Sequence, residues 1–119
     1  QVINQLPVVT WECERTATTN TGAIPSCPVG DIVRLVINFP QCWDGIRLDS
    51  PDHKQHMAYP EYRSDARSRC PASHPVMLPI ITEIFRWPVQ AGANPAFWRL
   101  TSDMYPITMR GGYSAHADW

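Results

Sequence analysis

No stretch of this chain stays apolar for the ~20 residues that a membrane-spanning helix needs. Its most apolar segments, Ile32–Phe39 and Pro75–Trp87, are broken by Arg34, Asn38, Thr82 and Glu83, so no transmembrane segment is expected. No signal peptide is expected within these residues, and a start at Gln1 fits a chain processed on secretion or trimmed. Lysine is nearly absent: Lys54 is the only one among ten basic residues. Those ten stand against eleven Asp and Glu, for a net charge of -1. Such a balance leaves no basic footprint for nucleic acid, which is excluded as a partner. There is no C-x-x-C pair, which excludes a zinc ribbon and a thioredoxin-type redox motif. No Asn-x-Ser/Thr sequon and no Gly-x-Ser-x-Gly setting occur. Ser114 stands too close to His116 in sequence to be its nucleophile, so serine-hydrolase chemistry is not expected. Gly111-Gly112 reads as a turn pair rather than a phosphate loop.

What is present begins with four cysteines, Cys13, Cys27, Cys42 and Cys70. An even number at wide spacing favours two disulfides and an oxidising, extracellular compartment. Three pairings are open. Cys13–Cys27 with Cys42–Cys70 is preferred, since each bridge then closes a turn-rich loop beside a strand. The second would contribute roughly 3–4 kcal/mol by restricting the unfolded chain.

The length suits one domain spanning residues 1–119. Leu6–Cys13 is β-branched and aromatic and predicts a strand, and the Thr- and Gly-rich segment Glu14–Gly30 predicts a loop. Asp31–Phe39 is the clearest strand, with Val33, Leu35, Ile37 and Phe39 on one face. Leu78–Trp87 alternates in the same way and places Glu83 on a face with Ile81, Phe85 and Trp87. Ala96–Thr101 reads as a short strand, and Met104–Met109 with Gly112–Ala117 as a final hairpin. No helical stripe appears, and twelve prolines argue against one. The expected fold is all-β: a small disulfide-stapled antiparallel sheet or sandwich with one long irregular loop.

That loop, Phe39–Pro79, holds three of the four histidines, two cysteines and six prolines. So long an irregular segment needs a staple or a job. Its motifs are FPQCWDG at Phe39–Gly45, LDSPDHKQHMAYP at Leu48–Pro60 and CPASHP at Cys70–Pro75, followed by HADW at His116–Trp119. In order and spacing they resemble the domain-of-unknown-function family nineteen-ninety-six. Its pattern is F-P-x-C-W-D-G, L-D-S-x-D-H-x-x-H-x-x-Y-P, C-P-x-x-H-P and H-A-D-F/W. The resemblance implies a secreted domain that keeps company with wall- or sugar-binding modules, and it implies no particular activity. The family pattern runs on past H-A-D into an Asn-Gly-Trp segment, so by this resemblance the chain ends short at Trp119.

For chemistry, His53 and His56 form an H-x-x-H pair with Asp52 adjacent, and His116 and Asp118 come from the last segment. Three imidazoles and a carboxylate suit a divalent metal, with His53, His56 and His116 as candidate ligands, or suit acid/base work. The same residues equally suit the plainer task of hydrogen-bonding an irregular backbone. Catalytic candidates are His53, His56, His116, Asp52 and Glu83. Apolar neighbours would raise the Glu83 pKa towards a general acid, unless Arg34, Arg86 or Arg99 pairs with it. Ligand-binding candidates are Trp43, Tyr59, Asp44 and His74, with Trp87, Trp98, Tyr62 and Trp119 as further rings able to stack on sugars. At least half of the tryptophans are expected in the core. Asp44 suits an Asx turn, and Asp49 and Asp52 suit caps of the Ser50-Pro51 turn. The leading functional expectation is a secreted domain that acts at the cell surface or on extracellular polysaccharide, by binding or hydrolysis. The alternatives are a non-catalytic, self-assembling structural subunit and a metal-binding module.

Overall fold

A computed structural model describes residues 8–20, 22–62 and 68–117. Within them the protein is all-β, antiparallel and stapled by two disulfides, Cys13–Cys27 and Cys42–Cys70. No helix among the described residues is long and apolar enough to cross a membrane. The chain resolves into two compact units: residues 7–37 with 83–119, the sheet unit, and residues 1–6 with 38–82, the loop unit.

The sheet unit is built on β1 (Val9–Cys13), β2 (Thr18–Asn20), β3 (Ile32–Asn38) and β9 (Thr82–Pro88), in the order β2-β1-β3-β9. Alternation in β3 sends Val33, Leu35 and Ile37 inward, as the period-two pattern predicts. They face Cys13, Trp11 and Val9 of β1 in register. Trp11 is 1 % exposed, and its indole N–H donates to the Gly112 carbonyl at 3.1 Å, so the largest core ring has its one polar atom satisfied. The other face carries charge: Arg34 pairs with Glu12 across the strands, and Arg86 donates to Glu14 at 2.6 Å.

Several sequence expectations need correction. The Glu14–Gly30 loop contains β2, because Asp31 anchors a tight turn before it. Its buried carboxylate accepts from the Arg15, Thr16 and Ile32 backbone N–H groups and the Thr16 hydroxyl, and threonines tolerate the extended backbone that follows. Leu6, at the start of the expected first strand, lies outside the described residues. After Pro88 no strand is described. The expected Ala96–Thr101 strand is a 3-10 turn, Pro95–Phe97, capped by Asn94, whose side-chain oxygen accepts from the Ala96 N–H. The expected C-terminal hairpin is a chain of turns.

Side chains, rather than a ladder, hold that segment. The Asp103 carboxylate accepts from the Leu100, Gly112 and Ser114 backbone N–H groups and from the Ser114 and Tyr105 hydroxyls. Burial pushes its pKa up, but these donors outweigh it and hold the carboxyl far below the ordinary range. Arg99 donates to the carbonyls of Asp103, Tyr105, Pro106 and Met109 and lies 4.8 Å over the Tyr105 ring. Gly111-Gly112 is more than a turn pair. Gly112 sits at φ +102°, and a Cβ there would come 2.8 Å from Ile24 Cγ1; one on Gly111 would come 2.1 Å from the Trp98 carbonyl.

β9 departs most from expectation. Only Glu83 is half-buried; Ile84, Phe85 and Trp87 are 47 %, 43 % and 38 % exposed. Of the four tryptophans described, Trp11 alone is buried, and Trp43, Trp87 and Trp98 are partly open. Trp119 lies outside the described residues.

Candidate functional site

The loop unit is not one irregular loop. Its centre is β4 (Cys42–Trp43), with β5 (Met57–Ala58) on one side and β8 (Val76–Met77) on the other. Trp43 stands opposite Met57 and Val76. A second pair, β6 (Glu61–Tyr62) and β7 (Ser68–Arg69), leads to the Cys42–Cys70 bridge, whose Cys42 end is fully buried and whose Cys70 end is half-buried. Strands of two residues escape period-based recognition, because a single alternation is not a pattern. At the neck of the unit, the Phe39 N–H donates to the Ile81 carbonyl at 3.0 Å and Thr82 Oγ1 to Asn38 Oδ1 at 2.9 Å. Tyr59, a ligand-binding candidate, also works here: its hydroxyl donates to the Asn38 carbonyl at 2.8 Å, and burial raises its pKa.

Between β4 and β5 the backbone is held by its own acidic side chains. Asp44 Oδ1 accepts from the Ile46 and Arg47 N–H groups and Oδ2 from Arg47 Nε, an Asx turn closed by an ion pair. These donors, the Arg47 N–H foremost, lower the Asp44 pKa to about 2. The Trp43 indole N–H donates to the Arg47 carbonyl at 2.6 Å, which fixes the ring against the same turn. Asp52 Oδ1 accepts from the Gln55 and Lys54 N–H groups and from the Ser50 hydroxyl, and its pKa falls far below the ordinary range. Asp49 accepts from the Ser50 N–H and is held by His53, whose Nδ1 lies 2.9 Å from both carboxylate oxygens. The His53 hydrogen bond is the main cause of the lowered Asp49 pKa. His53 itself is exposed, at φ +55°.

The remaining histidines differ in what they have left to offer. His74 uses both ring nitrogens: Nε2 donates to the Gln55 carbonyl, and Nδ1 lies 2.9 Å from the Ser73 hydroxyl. His56 uses one, with Nδ1 3.0 Å from Ser50 Oγ. Half-buried, it lines an open cleft of about 310 Å3 together with Trp43, Leu48, Met57 and Leu78. The structure thus brings Trp43, Asp44, Asp52 and His56 into one hydrogen-bonded loop, and the Asp44 N–H donates to the His56 carbonyl at 3.1 Å.

Glu83 and His116 belong to the sheet unit. His116 Nδ1 donates to the Ser114 carbonyl at 2.8 Å. Glu83 pairs with none of the arginines expected for it: Arg34 and Arg86 serve Glu12 and Glu14, and Arg99 serves carbonyls. Its strand neighbours are open to solvent, so the apolar burial expected around it is not found. Asp118 lies outside the described residues, as does the Tyr62 side chain. Among the described residues no group of three or more His, Cys, Asp or Glu stands where it could hold a metal ion. A second cleft, of about 270 Å3, is lined in the sheet unit by Trp11, Ile24, Trp87, Trp98, Arg99 and Leu100.

Sequence reasoning named Ser50 only as part of a capped turn and passed over Leu48, Met57 and Leu78, which wall the cleft. Nothing in their spacing marks a cleft; β4–β5 and β4–β8 pairing assembles it. The family model described as Domain of unknown function (DUF1996) matches residues 1–119, the whole chain. The chain belongs to that family. No curated protein and no solved structure matches it. What this DUF1996 domain offers chemically is therefore read from its own geometry. The loop presents ionised carboxylates that are already hydrogen-bonded, one fixed aromatic ring, and, lining the cleft, the His56 imidazole, one of whose nitrogens has no partner among the described residues.

Proposed function

We propose that this is an extracellular, disulfide-stapled domain that binds polysaccharide through the Trp43–His56 cleft. The observation that carries the reading is that Trp43 and His56 line one open cleft and each is fixed by a hydrogen bond to the loop beneath it. A sugar ring has an apolar C–H face that stacks on indole and a rim of hydroxyls that needs acceptors, and this pair supplies both. Binding rather than hydrolysis is favoured by the carboxylates. Glycoside cleavage needs one carboxyl held protonated by a raised pKa, and Asp44, Asp49 and Asp52 are all shifted the other way. Two disulfides suit an oxidising compartment outside the cell. Sedimentation with insoluble polysaccharides tests the reading: wild type should be retained on at least one, and Trp43→Ala should lose about tenfold or more in affinity. Equal retention of Trp43→Ala would refute it.

A second reading is favoured by a separate observation, the exposed apolar edge strand β9. Unpaired edges of this kind associate with further strands unless blocked, which suits a self-assembling subunit. Sedimentation velocity over a wide concentration range should then show dimers that Phe85→Lys disperses. A monomer at every concentration would remove this reading.

A further inference from the structure

The protons around Ser50 can be counted. Ser50 is 4 % exposed, and its hydroxyl has one hydrogen and two lone pairs. Asp52 is shifted strongly towards its ionised form, so its Oδ1 can only accept, and the hydrogen in the 2.8 Å contact between Ser50 Oγ and Asp52 Oδ1 is the serine's. The Lys54 N–H donates to Ser50 Oγ at 3.1 Å and occupies one lone pair. The 3.0 Å contact between Ser50 Oγ and His56 Nδ1 therefore has no hydrogen unless Nδ1 carries it. A neutral imidazole has only one N–H, so Nε2 is left bare. His74 gives the opposite case in the same unit: its Nε2 faces the Gln55 carbonyl, which can only accept, so Nε2 carries the hydrogen and Nδ1 accepts from Ser73.

We infer that Ser50 is a positioning residue that fixes His56 as the Nδ1–H tautomer, so that the cleft selects neutral, hydroxyl-donating saccharides over acidic ones. The ligand preference rests on the saccharide reading of the cleft; the tautomer does not. A bare Nε2 accepts a sugar O–H directed at it. A uronate carboxylate at the same spot brings lone pair against lone pair, close to the ionised Asp49 and Asp52. Asp52 acts at one remove, since it takes up the serine hydrogen that would otherwise turn towards His56.

The test uses the full chain at about pH 8, above the ordinary imidazole range. Long-range proton–nitrogen spectra of the four histidines report directly which ring nitrogen is protonated. The expected result is Nδ1–H for His56 and Nε2–H for His74, each serving as the other's control. Ser50→Ala should shift His56 to a mixture rich in Nε2–H, and Ser50→Thr, which keeps the hydroxyl, should restore Nδ1–H. Where Ser50→Ala does not fold, Asp52→Asn is the second variant and should loosen the same preference. Binding is measured with a neutral cello-oligosaccharide and an oligogalacturonate of equal length. The neutral sugar should bind at least tenfold tighter to wild type, and Ser50→Ala should lose most of that ratio. A wild-type spectrum with His56 as Nε2–H overturns the inference, as does equal or tighter binding of the oligogalacturonate. An Nδ1–H spectrum with neither sugar bound refutes the saccharide reading and its ligand preference, while upholding the tautomer.

Discussion

Replacing Cys42 and Cys70 together by serine removes the staple of the loop unit, and its cost follows from the chain it closes. The cysteines are 28 residues apart, and restricting a loop of that size in the unfolded chain stabilises the folded one by about 3.5 kcal/mol. Cys13–Cys27, with a separation of 14, comes to about 3 kcal/mol by the same reasoning. Cys42 is fully buried, so a serine hydroxyl there adds about 1 kcal/mol for a poorly satisfied donor. In a unit this small, each kcal/mol moves the melting temperature by roughly 4–8 °C, so the midpoint should fall by about 15 °C or more. The assay is thermal unfolding followed by the fluorescence of Trp43, in a background where the other tryptophans are replaced by phenylalanine. Wild type with its bridges reduced is a second arm that introduces no serine. A fall of less than about 5 °C in both arms would refute the reasoning. It would mean that the turns at Asp44 and Asp52 hold the loop without the bridge.

Gly112→Ala should destabilise the sheet unit by about 2–4 kcal/mol in denaturant melts, since a positive φ and a 2.8 Å approach to Ile24 act together; a change under about 1 kcal/mol would contradict that packing. Acid should weaken the loop unit in a defined window. Asp44 titrates at about 2 when folded against an ordinary 3.8, so its ionised form stabilises the fold above that ordinary value, and the contribution is lost as pH falls from about 4 to about 2. Melting temperatures should be level from about pH 7 to 5, drop below 4, and drop less in Asp44→Asn; a flat profile to about pH 2 would count against the Asx turn. Tyr59→Phe should cost about 1 kcal/mol through the lost bond to the Asn38 carbonyl and leave saccharide binding unchanged.

How much of the fold is legible in the sequence depends on repetition. β3 alternates for seven residues, so the order of its residues alone assigns its faces. The disulfide pairing is legible because each bridge closes a local, turn-rich segment. The Asx turn at Asp44 follows from residue type alone. β4, β5 and β8 are not legible, because two-residue strands exist only through pairing between residues distant in sequence. The C-terminal segment looks like strands because it is rich in apolar residues at short spacing. Asp103 and Arg99 there satisfy the backbone that a ladder would have served. Glu83 and Trp87 sit on a strand whose alternation is plain, yet alternation does not reveal that β9 is an edge with little packed against it. At the candidate site, the histidines can be named from the sequence, but what distinguishes His56 from His74 is that His74 uses both ring nitrogens and His56 only Nδ1.

The most direct test of the Trp43–His56 cleft is one titration of the intact chain with a cello-oligosaccharide, monitoring the Trp43 indole and His56 ring resonances together. Binding through the cleft requires both sets to shift along one saturable curve, with those of Trp87 and Trp98 unmoved. Shifts confined to Trp87 and Trp98 would place the sugar on the sheet unit and contradict the account, as would no shift at saturating sugar.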